Sequence, residues 1–319
     1  MTDKICQSAR LVGDIGGTNA RFAVLDEHDV PVQPSSLRVD AFETLSAAID
    51  AYRAETGIES LASAAIAVAT PVTGDVVSMT NSHWSFSISE TRALHELDDF
   101  HVVNDFTALA LSVPRLPAEQ SLQIGVGEKR DGHTIGVIGP GTGLGVSGLV
   151  PCGDGWTALQ GEGGHVTVGV TTDRERAVRD LLAKRYQHVS AERFLSGPGL
   201  VNIATSLRQL DGLDPLDLTP ADITRLGPTG EDSVCEETLA IFCRLLGSCA
   251  GNLALTLGAT GGMYIGGGIA PRLGVYLENS DFRQAFEAKG RMQAYLSKVP
   301  TIVIHSPYPA LFGVASLLS

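Results

Sequence analysis

The sequence predicts an α/β fold built from two related halves, and three observations carry that reading. A strand, glycine turn, strand unit near the N-terminus returns about 125 residues later. Apolar strand-like runs lead straight into helical stretches, the alternation of an α/β domain. The chain has 319 residues, 44% of them hydrophobic, enough for one large core or two ordinary ones, and two domains is the better prior.

In order along the chain, Ala9-Arg10-Leu11-Val12 is a short apolar run that breaks into Gly13-Asp14-Ile15-Gly16-Gly17-Thr18-Asn19 and resumes as Arg21-Phe22-Ala23-Val24-Leu25, a strand, turn and strand. Thr44 to Glu55 reads as a helix with Leu45, Ala48, Ile49 and Tyr52 on one face, ending near Gly57. Ala64 to Ala69 is a buried strand stopped by Thr70-Pro71. Phe100 to Val103 is a strand running through Asn104-Asp105-Phe106 into a helix from Thr107 to Val113. After the Pro114 to Pro117 break the first pattern returns, as strand Thr134 to Ile138, turn Gly139 to Gly145 and strand Val146 to Val150. Helices follow at Asp173 to Arg185, Ala191 to Leu195 and Ser233 to Leu257, with Met263-Tyr264-Ile265 as a strand and Pro271 to Leu277 as a helix. The polar stretch Asp211 to Glu231, with three prolines, reads as an exposed excursion.

Charge and composition exclude several classes of function. Lys and Arg number 23 against 36 Asp and Glu, a net charge of -13, which removes the attraction that drives most nucleic-acid binding. No run of about 18 residues is apolar throughout, and Met1 to Cys6 contains no apolar signal core, so the expectation is a cytoplasmic protein without a membrane partner. Cys6, Cys152, Cys235, Cys243 and Cys249 are odd in number and form no C-x-x-C pair, which argues for free thiols and against a structural zinc.

Glycine is the outlier, 36 residues or about 11% against a usual 7% or so, without any collagen-like period. The turn Gly13 to Asn19 lets backbone approach an anion and present N–H groups and the Thr18 hydroxyl to phosphate; an ordinary hairpin is the plain alternative. Asp14 favours phosphate, because a hydrated Mg²⁺ needs a carboxylate there and a hairpin does not. The turn Gly139 to Gly145 has the same two readings. Gly143, Gly145 and Gly148 spell G-x-G-x-x-G, yet a strand follows where a dinucleotide site needs a helix. No P-loop motif occurs. Gly261 to Ile269 is a strand ending in three glycines, a place for a flat base against backbone. Asp105, at the end of a strand and the start of a helix, reads equally as a helix cap or as a general base for a substrate hydroxyl. Glu162 and His165, three apart on a glycine-rich segment, suit hydrogen bonding to a polyhydroxylated ligand better than metal; His165 also reads as a structural histidine. The other seven histidines form no usable pattern.

Seven motifs resemble bacterial glucokinases of the proteobacterial type, in the same order and along nearly the whole chain. They are Gly13 to Arg21, Asn104 to Ala108, Gly141 to Gly145, Gly161 to His165, Ser190 to Arg193, Leu195 to Leu200 and Gly266 to Arg272. The resemblance implies an actin-like, hexokinase-like (ribonuclease H-like) duplicated fold. Its smaller domain would be residues 1–115 plus 306–319 and its larger domain residues 116–305, flanking a cleft that holds the site. The related repressor/open-reading-frame/kinase group carries a cysteine-rich zinc motif after its Glu-x-x-Gly-His-like segment, and its repressors carry an N-terminal helix-turn-helix. This chain has no cysteine between Cys152 and Cys235 and only about a dozen residues before the first turn, so it resembles the zinc-free enzymes.

Carried over by position, the resemblance makes Asp105 the base for the sugar 6-hydroxyl. Asn104, Glu162, His165 and Glu192 would hold other hydroxyls; Glu192 also reads simply as the acidic first turn of a helix. Gly13, Asp14, Ile15, Gly16, Gly17, Thr18, Gly141, Thr142 and Gly267 would meet ATP, with Asp14 reaching Mg²⁺ through water. The implied activity is ATP-dependent phosphorylation of D-glucose to glucose 6-phosphate by a homodimer, feeding glucose catabolism. The competing readings are a kinase of another hexose and a nucleotide-gated interaction protein of the same superfold.

Overall fold

The computed structural model describes residues 9–318, so Cys6 lies outside the described residues. The chain forms two compact units, one running to Pro117 and resuming at Ser306, the other comprising Ala118–His305. The first contains β1 (Ala9–Ile15), β2 (Asn19–Leu25), β3 (Pro31–Arg38), α1 (Leu45–Thr56), β4 (Leu61–Val68), β5 (Val76–Ser78), β6 (Ser85–Ser87), α2 (Ile88–Leu94), β7 (Asp99–Asn104) and α3 (Asp105–Ser112). The second contains β8 (Ser121–Ile124), β9 (Ile135–Pro140), β10 (Leu144–Cys152), β11 (Gly155–Gly161), α4 (Asp173–Ala183), α5 (Gly197–Leu210), α6 (Pro220–Leu226), α7 (Ser233–Leu257), β12 (Gly262–Ile265), α8 (Ala270–Leu273), α9 (Val275–Asn279), α10 (Phe282–Glu287), α11 (Gln293–Leu296) and β13 (Thr301–Ile304). The last helix, α12 (Pro309–Ala315), belongs to the first unit.

The first unit's main sheet has the order β3-β2-β1-β4-β7, an antiparallel meander continued by parallel strands. Its inner strands are apolar on both faces, as parallel strands covered on both sides must be. Leu11, Ile15, Phe22 and Ile66 meet Leu45, Ile49 and Tyr52 of α1 in one core cluster, while Val12, Ala23, Ala65 and Ala67 meet Ala108 of α3 and Leu311 and Val314 of α12 in another. Gly313 of α12 lies against the carbonyl of Ala108, where a Cβ has no room. The helix expected from Thr44 forms because the Thr44 side chain accepts the Ala47 N–H and Gly57 closes the other end at φ 72°.

The second unit repeats the plan. Its sheet runs β11-β10-β9-β12-β13-β8, again a meander followed by parallel strands, with β8 added antiparallel at the edge. That repeat is the physical form of the two related halves. The long apolar helix α7 is the core helix of this unit; its Gly247 and Gly251 lie against the backbone carbonyls of Phe282 and Phe286 in α10. By length and composition α7 is apolar enough to cross a membrane, but most of it is buried among the unit's other elements.

Three expectations change. The excursion at Asp211 to Glu231 is largely exposed as expected, but it contains a helix, α6, with a Thr219–Asp222 capping box and a fully buried Ile223 that ties it to the core. The helix expected at Pro271 to Leu277 is two short pieces, α8 and α9, broken at Gly274 (φ 48°, ψ -124°). Ala191–Arg193 is a single 3₁₀ turn.

Candidate active site

In the first unit, register places the candidate residues. Ile15 of β1 pairs with Val68 of β4, which pairs with Asn104 of β7, so three parallel strands end level. The turn after β1, Thr70 after β4, and Asn104 and Asp105 at the end of β7 therefore share the carboxyl edge of one sheet, where ligands of α/β folds bind.

The turn divides its residues by task. Gly13 lies within β1, where a Cβ would meet Ile66 and Phe22, and the Ile15 side chain is buried; both serve the sheet. The Gly16 N–H is spent on the Asn19 carbonyl at 2.9 Å. Among the described residues the N–H groups of Gly17 and Thr18 have no acceptor, and Thr18 is exposed. Gly17 must be glycine because a Cβ would come within 2.6 Å of the Asn81 carbonyl. The N–H groups left available to an anion are thus those of the later part of the motif.

At β7, the cap and the carboxylate are separate residues. Asn104 caps α3: its Oδ1 accepts the Phe106 N–H at 2.9 Å, while its Nδ2 donates to the Thr70 carbonyl at 3.3 Å. Asp105 follows as the first helical residue and accepts the same N–H on Oδ1 at 2.9 Å. Burial pushes its carboxyl up to about 6; the Phe106 N–H opposes this, the neighbouring Asp14 charge adds to it, and the Asn104 side chain opposes it. A carboxylate poised near neutrality is what general-base work requires. Asp14 is paired across the hairpin with Arg21, 3.1 Å from Oδ2 to the guanidinium. Burial raises its pKa and Arg21 only partly offsets that.

In the second unit, three motifs meet at Leu144. Its N–H donates to Glu192 Oε2 at 3.0 Å, and its carbonyl leaves no room for a Cβ on Gly164, which fixes the Gly163–His165 turn against β10. Glu162 and His165 are exposed on that turn, 4.0 Å apart. The Gly141 N–H is spent on the Gly143 carbonyl at 2.8 Å, while among the described residues the Thr142 and Gly143 N–H groups have no acceptor. β9 and β12 are parallel with Ile138 beside Ile265, so the second glycine turn and Gly266–Gly268 emerge at one edge. Gly267, at φ 76°, sits against the Pro140 carbonyl and the Ile269 N–H donates to the same carbonyl. The strand reading of Gly145 to Gly148 holds, since Gly148 is packed under Leu257 and the Ile135 carbonyl within the sheet.

Sequence reasoning missed the supports. Thr70 Oγ1 lies 3.0 Å from Thr80 Oγ1, so the segment carrying Asn81 is tied to the residue that orients Asn104. No periodicity announces this; the only signal is the Thr70-Pro71 stop at the end of a buried strand.

The chain was compared with known proteins. A family model described as Glucokinase matches residues 11–319. The chain belongs to the glucokinase family. A glucokinase from Chromobacterium violaceum is 50% identical over 97% of this chain and 89% of its own, and one from Aromatoleum aromaticum is 51% identical over 97% and 94%. The crystal structure of a glucokinase from an Antarctic psychrotroph superposes with a TM-score of 0.90 at 36% identity, covering 98% of both chains. The fold is accordingly the actin-like, hexokinase-like one of the glucokinases, each unit contributing one of its two related sheets.

Proposed function

We propose that this chain transfers the γ-phosphoryl group of ATP to the 6-hydroxyl of D-glucose, with Asp105 as general base. Membership of the glucokinase family supports glucose phosphorylation. The observation that carries the residue assignment is the division at the end of β7: Asn104 caps the helix, and the Asp105 carboxyl beside it is raised to about 6. Asp105 takes the proton as the hydroxyl oxygen bonds to phosphorus. The bond from phosphorus to the bridging oxygen breaks, giving glucose 6-phosphate and ADP.

Asn104, Glu162, His165 and Glu192 hold the other hydroxyls. Carboxylates and an imidazole in fixed places select against epimers, because an inverted hydroxyl leaves a polar group unpaired. Gly17, Thr18, Thr142 and Gly143 offer their N–H groups to phosphate, and Gly267 brings backbone close to the nucleotide.

Asp14 fits a cation held through water. It is a partly buried carboxylate whose charge Arg21 only partly compensates. Among the described residues no three His, Cys, Asp or Glu side chains cluster to cage a metal. Magnesium bound to ATP supplies neutralisation of the phosphate charge there. The two compact units serve as the smaller and larger domains, and the enzyme is a cytoplasmic homodimer, readings that rest on the family resemblance; sedimentation tests the dimer.

The deciding experiment follows ADP release from MgATP with glucose, mannose, fructose, N-acetylglucosamine or no sugar. Release with glucose alone is expected. Equal release with another hexose gives a hexokinase of broader range, and slow sugar-independent release refutes the kinase.

A further inference from the structure

Glu192 is joined to the second glycine turn in a way that sugar binding does not require. Its Oε2 accepts the Leu144 N–H at 3.0 Å, a bond between residues 48 apart in sequence. Gly143 makes room for it, since a Cβ there would lie 2.5 Å from the same oxygen. The other end of the turn is held by the same segment: the Gly197 N–H donates to the Gly141 carbonyl at 2.8 Å. Between these points Ser196 caps α5, accepting the Gly199 N–H at 3.0 Å and donating to the Glu192 carbonyl at 2.8 Å. The short run Glu192–Gly197 therefore grips the turn at Gly141 and at Leu144. Only the Leu144 grip is made by a side chain. Among the described residues, the second oxygen of that side chain, Oε1, has no hydrogen-bond partner.

We infer that Glu192 is a positioning residue for the phosphate-binding turn as well as a sugar ligand. This rests on the roles given above to the turn and to Glu192. One oxygen sets the Leu144 N–H, and with it the course of Thr142 and Gly143; the other is left for a sugar hydroxyl. A sugar that orders this carboxylate orders the turn, and so sugar and nucleotide sense each other through one side chain.

The reading makes crossed predictions that a plain sugar ligand does not. Glu192→Ala weakens binding of a non-hydrolysable MgATP analogue in the absence of any sugar by roughly 3- to 10-fold, the range for one lost hydrogen bond. Glu192→Gln keeps an oxygen that accepts the Leu144 N–H, so it binds the analogue within about 2-fold of wild type while its KM for glucose rises. Gly143→Ala, in a turn assigned to nucleotide, raises the KM for glucose because its methyl group displaces the carboxylate.

Calorimetric titration of the analogue and steady-state kinetics with glucose, on variants with wild-type circular dichroism, read all three. Unchanged analogue affinity in Glu192→Ala, or unchanged glucose KM in Gly143→Ala, overturns the inference. Glucose-dependent ADP release by the wild-type enzyme, measured alongside, tests the kinase reading separately: with that release intact, failure of the crossed predictions counts against the positioning role alone.

Discussion

Asp105→Asn is the substitution that separates chemistry from architecture. Asn keeps an Oδ1 acceptor for the Phe106 N–H and nearly the same volume, so α3 starts as before. What disappears is the base, and turnover should fall by about 10² to 10⁴ with glucose still bound. Stability should move the other way. The native carboxyl sits at about 6 against an ordinary 3.8. Between those values the folded chain holds more protons than the unfolded one, so stability falls as pH rises through that window. Above it, the ionised carboxylate costs at most about 3 kcal/mol, which Asn removes. The variant should therefore melt a few degrees above wild type at pH 8, and the gap should close near pH 4. In the wild type, kcat/KM should drop about tenfold for each pH step below 6, the base being lost to protonation. Turnover within tenfold of wild type, or an acid limb no higher than an ordinary carboxylate's, would refute the assignment of Asp105 as base.

Three further outcomes are expected. Asn104→Ser keeps a helix-capping oxygen but no amide to donate to the Thr70 carbonyl, so kcat/KM should fall with little change in melting temperature; a variant with wild-type kcat/KM would remove Asn104 from the site. Glu175, fully buried, accepts the N–H groups of Thr171 and Thr172 and pairs with Arg244 at 2.7 Å. Burial alone would raise its pKa, but those partners hold it low. Glu175→Ala should cost about 2 to 4 kcal/mol in denaturant unfolding, through the Thr171 and Thr172 N–H groups left without an acceptor and an Arg244 that keeps only Asp281, at 3.7 Å, and a loss under 1 kcal/mol would refute that. The His95 side chain is buried with its Nε2 unpartnered among the described residues; burial lowers its pKa, Asp50 partly opposing and Arg53 adding. The unfolded chain therefore takes up its proton first, and stability is lost as pH falls below about 6.5. His95→Leu should flatten that slope in melting curves between pH 7 and 5; an unchanged slope would exonerate His95.

Much of this was legible because local signals agreed with the tertiary outcome. The 25 residues of α7 start at a capping Asp232 and end at Gly258 in the left-handed region, both ordinary boundary chemistry for an apolar run. β3 was not legible, since it carries two prolines and a mostly exposed face, and only its pairing with β2 makes it a strand. α5 begins Gly-Pro-Gly, poor helix formers, yet Ser196 caps it and Gly199 leaves space for the Phe194 carbonyl, so packing overrides propensity. β13 is four residues long and acquires its identity from β12 and β8.

The candidate site shows the same boundary between local and distant information. The hairpin places Arg21 opposite Asp14, and adjacency places Asn104 beside Asp105, so short-range reasoning reaches both. It cannot say which residue of an Asn-Asp pair caps the helix, because either side chain can accept an N–H. With Asp105 proposed as base, cap and base are compatible: a neighbour that satisfies the helix end leaves the next carboxylate partly buried and raised in pKa. The Glu192–Leu144 bond lies further beyond sequence reasoning, since nothing within a dozen residues of either partner announces it. Its geometry nevertheless follows one rule shared with Asp105. In both carboxyl groups one oxygen accepts a backbone N–H, which orients the group. On the assignments proposed above, a carboxylate oriented by the main chain is what positioning of a sugar demands.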